Sequence, residues 1–148
     1  MSSYLGDKGF EHGGADKTGV LLLNLGSPDA PTTSALRRYL KEFLSDPRIV
    51  EMPRIIWWFI LNFIILNTRP KRSAKLYKGV WLEAGAPLVV TAKAQAERIQ
   101  QRLNSLYPNQ MIVELGMRYG NPSVSHALQS LKKSGVKRIV VLPLYPKY

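Results

Sequence analysis

Residues 20–28 read Val-Leu-Leu-Leu-Asn-Leu-Gly-Ser-Pro. The apolar run over residues 20–25 has the length of a strand, and it stops at Gly26 and Pro28. A run that apolar, ended by turn residues, reads as a strand buried on both faces, as in the middle of a parallel sheet. Gly26 lets backbone come close to something, and Pro28 has no N–H with which to continue a ladder. A buried strand opening into a tight turn, with helical sequence after it, is how an open α/β sheet builds a ligand crevice at its carboxyl edge. Taken alone, residues 24–28 are neither a dinucleotide fingerprint nor a phosphate loop, since the stretch has a single Gly and no Gly-Lys-Ser/Thr follows.

Outward from that strand, Pro31, Thr32, Thr33 and Ser34 supply helix-start chemistry. Leu36, Tyr39, Leu40, Phe43 and Leu44 then recur at helical spacing, with Arg37, Arg38 and Lys41 outside the stripe. Asp46-Pro47 breaks this helix. Pro53 opens an apolar stretch over residues 54–66 that Arg69-Pro70 closes, and residues 71–78 read as a short basic helix ending at Gly79. After the Gly85-Ala86-Pro87 turn, the spacing of Ala92, Ala96, Ile99, Leu103 and Leu106 predicts a helix over 88–106. Residues 111–115 read as a short strand, 122–133 as a helix and 138–144 as another buried strand. Strands separated by helices make an α/β fold: an open parallel sheet with helices on both faces, a Rossmann-like half. The last strand ends four residues before the chain does, where site loops of this architecture sit, which points to truncation.

A length of 148 residues suits one domain with a single core. Residues 1–17 read as a flexible leader, polar and rich in Gly and Ser, without the apolar centre of a signal peptide. The chain has no cysteine, which excludes a disulfide, a thiolate metal site or an iron–sulfur cluster within it and fits the cytosol. Its net charge is +11, and five basic residues with no acid lie between Arg69 and Lys78. Such a field attracts polyanions, although a solvated basic face is the ordinary alternative. The longest apolar run, over residues 55–65, falls short of the ~20 residues of a spanning helix and suits a core or interfacial helix.

Residues 117–122, Met-Arg-Tyr-Gly-Asn-Pro, follow the second strand and so lie on the same edge of the sheet as Gly26. An Arg beside a Tyr there can hold an anion or cap an aromatic plane; the plainer alternative is an Arg paired with a nearby acid to fix the loop. Trp57, Trp58 and Phe59 could stack on a flat ligand or lie against lipid, but core packing is the default for such a cluster. His12 falls in the leader, and His126 points away from the apolar face of its helix, so neither suits catalysis. No His/Asp/Glu cluster has metal-ligand spacing, and no serine has a triad context.

These blocks together resemble ferrochelatases, enzymes that insert ferrous iron into a porphyrin, and the bacterial form most. The resemblance is carried by residues 24–28, by residues 39–48 (Tyr-Leu-Lys-Glu-Phe-Leu-Ser-Asp-Pro-Arg), by the apolar segment with Arg69-Pro70, and by Gly85-Ala86-Pro87-Leu88. Arg118-Tyr119 and Leu142-Pro143-Leu144-Tyr145-Pro146 match as well, so that it covers about residues 18–148. It implies a chelatase-like pair of similar α/β halves clamping a porphyrin, with this chain as the amino-terminal half. The catalytic histidine, in a Ser-x-His-Gly motif, and its acidic partner would belong to the second half. Leu25 would line the porphyrin face, and Arg118 and Tyr119 would face the metal from the wall opposite the histidine. Tyr77 and Tyr148 would line the pocket, and Arg69 would contact a propionate. Residues 54–66 would form an apolar lip where substrate enters from the membrane. The resemblance implies no cofactor in this segment, ferrous iron as substrate, no nucleic-acid partner, and a cytoplasmic protein with peripheral membrane contact. Ala86 stands where the family usually has Ser, and Lys147 where Gln is usual.

The chemistry suits these assignments. A porphyrin is a large apolar disc with carboxylate arms, so it calls for an apolar slot with cations at the rim. Metal insertion needs the macrocycle bent and two pyrrole protons removed, for which rigid walls and a nearby base suffice. The competing reading is a basic α/β module without catalysis that binds nucleic acid or a membrane surface.

Overall fold

The computed structural model describes residues 17–145. Residues 1–16 of the expected leader, with His12, lie outside the described residues, as do Lys147 and Tyr148. Three parallel strands form one sheet: β1 (Lys17–Ser27), β2 (Met111–Gly120) and β3 (Val136–Pro143), in the order β2-β1-β3. The apolar run that opened the sequence reading is thus the central strand, with Leu22 opposite Leu115 on one side and Leu142 on the other.

Alternation along β1 sends its side chains into two separate layers. Val20 and Leu22, with Leu115 and Met117 of β2, pack on Ala92 of α4 (Pro87–Leu106). Leu21 packs on Ala127 and Leu131 of α5 (Val124–Lys133) and on Val136. Helices therefore cover both faces, as the strand–helix alternation predicts. Leu22 and Leu131 are completely buried, and each such side chain contributes about 1.5–3 kcal/mol relative to exposure. A third cluster joins α1 (Thr33–Ser45), through Leu44, to Leu61 and Leu66.

Three expectations need correction. Residues 54–80 form one continuous helical rod: α2 (Arg54–Phe59), a π-helical segment (Ile60–Ile65) and α3 (Leu66–Val80), with Pro70 inside α3. Proline removes a backbone donor. Here the Pro70 ring is fully buried, and the side chains of Asn67 and Thr68 donate to the carbonyls of Phe63 and Ile64 in the turns before it, both at 2.8 Å. Second, β2 continues five residues past Leu115, so Met117, Arg118 and Tyr119 lie on a strand and not on a loop; Asn24, Gly26 and Ser27 of β1 supply the pairing partners. Third, β3 is exposed along most of its length, with Val140 54% and Val141 50% accessible, because it is the sheet edge and no described layer covers it.

Candidate functional site at the carboxyl edge of the sheet

The ends of β1 and β2 approach each other closely. Gly26 takes φ +113° and lies opposite Tyr119, where a side chain would run into the Tyr119 carbonyl; Gly120, at φ +78°, faces the Ser27 carbonyl in the same way. Helix α1 folds back over this edge. The Tyr39 hydroxyl donates to the Gly26 carbonyl at 3.2 Å, and a Glu42 carboxylate oxygen accepts from the Gly120 N–H at 3.1 Å. Tyr39 stacks on Phe43, whose ring meets Tyr119 edge-on at 5.1 Å. Burial, with Tyr77, Glu42 and Tyr119 nearby, pushes the Tyr39 phenol up to about 12.

Asp46, the residue that ends α1, organises the polar centre. Its Oδ2 accepts from the Tyr119 hydroxyl at 2.7 Å and from the Arg118 guanidinium at 3.0 Å. Its Oδ1 accepts from the backbone N–H of Arg48 at 2.9 Å. The Arg48 N–H, the Tyr119 hydroxyl and Arg118 together lower the Asp46 carboxyl from 3.8 to about 2. Burial is the main cause that raises the Tyr119 phenol, and the bond to Asp46 adds to it. The guanidinium of Arg118 is held more firmly protonated by Asp46 and by Tyr119. A carboxylate so satisfied is a poor base and a good fixture.

Beside this triad opens a cavity of about 520 Å³. Leu23, Val124, Leu128 and Val141 make its apolar side, and Arg48 and Arg118 border its polar side. A smaller polar cavity of about 280 Å³ lies beyond Ser27, bordered by Asp29, Arg38 and Glu42. Among the described residues no group of three or more His, Cys, Asp or Glu is placed to hold a metal ion.

Of the residues singled out from the sequence, Arg118 and Tyr119 are brought together at the cavity, and the plainer alternative for Arg118, an acid partner, is what the geometry shows. Leu25 is half-buried on β1, two residues beyond Leu23, which lines the cavity. Tyr77 is half-buried on α3 and tilts against Trp81 at 6.2 Å. Arg69 is exposed on α3 and borders neither cavity. Tyr148 lies outside the described residues. His126 is on the surface, as its helical position predicts.

Core packing, the default for the aromatic cluster, holds only for Trp57, whose indole N–H donates to the Leu44 carbonyl at 2.7 Å. Trp58, Phe59 and Phe63 pack on one another and are 55%, 54% and 63% accessible. Ala86, buried, proves to be the N-cap of α4, without a side-chain hydrogen bond. Read locally, Asp46 is only a helix breaker. Its signal was present: an Arg-Tyr pair on one strand end and a lone acid in the turn after the preceding helix.

Edge, crevice and flanking cations define a parallel α/β domain with an apolar crevice at the carboxyl edge of its sheet. A profile of the ferrochelatase family matches residues 17–148. Ferrochelatase of Alcanivorax borkumensis is 56% identical over 146 residues, 99% of this chain and 43% of the relative. Ferrochelatase of Thioalkalivibrio sulfidiphilus is 57% identical over 143 residues, 97% of this chain and 39% of the relative. That of Chromobacterium violaceum is 51% identical over 148 residues, 100% of this chain and 41% of the relative. The chain belongs to the ferrochelatase family, and it spans about two fifths of the length of these relatives.

Proposed function

We propose that this chain supplies one wall of a porphyrin cleft in an enzyme that inserts ferrous iron into the macrocycle in haem biosynthesis. The observation that carries this reading is the Arg118–Tyr119–Asp46 triad, fixed at the rim of an apolar cavity at the carboxyl edge. A rigid polar fixture beside an apolar slot suits a flat, apolar substrate that must be held while it is distorted. In this reading Arg118 and Tyr119 stand toward the metal side, the family resemblance assigns Leu25, Tyr77 and Tyr148 to the porphyrin, and Arg69 is a cation available to a propionate. Ferrous iron is a substrate here, with no resident cofactor. Asp46 is saturated with donors, so the base that removes the pyrrole protons comes from outside these residues.

The exposed faces of α2 and the π segment form the lip of the cleft and rest on a membrane surface. Ile55, Trp58, Phe59 and Phe63 make a continuous apolar patch of the kind that marks an interaction site. No described helix is long and apolar enough to cross a membrane, so the contact is peripheral. Nucleic acid is not a partner in this reading.

Adding a dicarboxylic porphyrin to the chain at physiological salt tests the reading. A shift of the Soret band supports it. No shift, together with RNA retention that falls steeply as salt rises, would put the basic binding module in its place.

A further inference from the structure

The smaller polar cavity, of about 280 Å³, carries the opposite charge to the rest of the molecule. It is bordered by Ser27 and Asp29 at the end of β1 and just beyond it, by Arg38 and Glu42 of α1, and by Asn121 just past β2. It shares no lining residue with the cavity beside Asp46. Two carboxylates and one guanidinium leave its border one charge negative, on a chain whose net charge is +11.

The groups left over at this border are oxygens. Glu42 accepts the Gly120 N–H with Oε2 at 3.1 Å, and its other oxygen has no donor among the described residues. Asp29 accepts from the Asn121 amide with Oδ1 at 3.0 Å, while its Oδ2 has only Arg38, at 4.0 Å. The Arg38 side chain is 69% accessible, so it can turn out to water. Ser27 is the unusual member. It is 4% exposed, yet its hydroxyl has no hydrogen bond among the described residues. No described side-chain oxygen is both sealed and unpartnered, so this hydroxyl has its access through the cavity that Ser27 lines. A hydroxyl buried in that way and left open on a cavity marks a place for a further partner.

We propose that this cavity binds a hydrated divalent cation of the magnesium type, held by Asp29 and Glu42, with Ser27 bonding to its water shell. A hard, all-oxygen donor set suits Mg²⁺ or Mn²⁺ and not a soft metal. Magnesium keeps several of its waters and takes one or two carboxylates from a protein, which is the number present. The space agrees. At ~30 Å³ per water the cavity holds roughly nine, enough for an ion with its shell and far more than a bare ion fills. Glu42 already joins α1 to Gly120, so an ion on its second oxygen braces the strand end that carries Tyr119. The ion is a brace here and not a reactant.

Mn²⁺ is the probe, because the paramagnetic resonance signal of the free ion falls as it binds. It is titrated into the native chain, and Mg²⁺ and methylammonium are then added separately as competitors. The variants are Asp29→Asn, Glu42→Gln and Ser27→Ala, with Glu97→Gln, an exposed acid of α4 outside the cavity, as control. Asn and Gln keep an oxygen for the Asn121 amide and the Gly120 N–H and remove only the charge; urea midpoints confirm that each variant is folded. The native chain is expected to bind one Mn²⁺ and to release it to Mg²⁺. Asp29→Asn and Glu42→Gln should each weaken binding about tenfold, and Ser27→Ala about threefold. Glu97→Gln should leave it unchanged. Native affinity in any of the three cavity variants, or an equal loss in Glu97→Gln, overturns the assignment. So does displacement by methylammonium and not by Mg²⁺, which would make this an ammonium site. A native chain that binds no Mn²⁺ overturns it as well, and none of these outcomes touches the porphyrin reading, which is tested at the Soret band.

Discussion

Gly26 and Tyr119 face each other at the carboxyl ends of β1 and β2, so closely that a β-carbon on Gly26 would overlap the Tyr119 carbonyl oxygen. Gly26 also takes a φ of +113°, which L side chains rarely adopt. The clash is with backbone, so no rotamer change relieves it. Gly26→Ala is therefore expected to destabilise the chain by about 3 kcal/mol or more, and to displace Tyr119 from Asp46. Urea denaturation measures the first effect; a variant within about 0.5 kcal/mol of native would contradict the geometry.

Asp46 makes stability depend on acid. Its carboxyl is at about 2 in the folded chain and near 3.8 when free, so the folded state favours the ionised form. The stabilisation is complete above about pH 4 and is lost as pH falls through about 2. In Asp46→Asn the slope of stability against pH in that window should flatten, and the fixation of Arg118 should go with it. Acid titration of unfolding, native against variant, reads the difference.

Tyr39 gives the opposite slope in alkali. A phenol raised from 10.0 to about 12 stays protonated longer in the folded chain, so stability falls as pH rises between those values. Tyr39→Phe should remove the Tyr39 share of this decline and leave that of Tyr119. It should also cost about 1 kcal/mol at neutral pH, through the lost hydrogen bond to the Gly26 carbonyl. Thermal unfolding at pH 7 and pH 11 checks both.

At Ala86 the chain lacks the N-cap that a hydroxyl would give α4. Ala86→Ser is expected to stabilise by about 1 kcal/mol, by supplying an acceptor to a free N–H of the first turn. The family departure noted in the sequence thus bears on a helix end. No change in urea midpoint would mean that the buried position leaves the hydroxyl no room to turn toward that N–H.

The apolar patch should behave as surface. Phe59→Ser combined with Phe63→Ser removes two rings that are more than half exposed, and should leave stability within about 1 kcal/mol of native. The same pair should sharply reduce the binding of a hydrophobic dye and of lipid vesicles. A large loss of stability with unchanged dye binding would place these rings in a core instead.

Features written in local pattern were legible in the sequence. The β1 run with its Gly-x-Pro ending, and the four-three stepping of α4, fixed strand, helix and site edge, because each depends on neighbours along the chain. What escaped depends on distant partners. β2 runs through Met117, Tyr119 and Gly120 because β1 pairs with them, and the local pattern of Gly and charge reads as a loop. Pro70 sits inside a helix because its ring finds a buried place in the fold, which no local pattern announces. An apolar strand such as β3 looks the same in sequence whether or not anything covers it. Asp46 and Arg118 are 72 positions apart, and no spacing rule connects them; only the carboxylate-for-Arg argument does.

The strand order β2-β1-β3 has a consequence for how the chain is made. The central strand emerges first from the ribosome, and both of its partners lie more than 80 residues further on. At about 5–20 residues per second, β1 waits on the order of ten seconds with both edges open. Its apolar sequence makes that interval the dangerous one in the life of the nascent chain. Helices α1 to α4 are all made in the meantime. Docking of α4 against Val20 and Leu22 before β2 exists would shelter one face of β1, leaving the other to a chaperone. Translation speed and chaperone supply, more than final stability, then set how much of this protein a cell recovers.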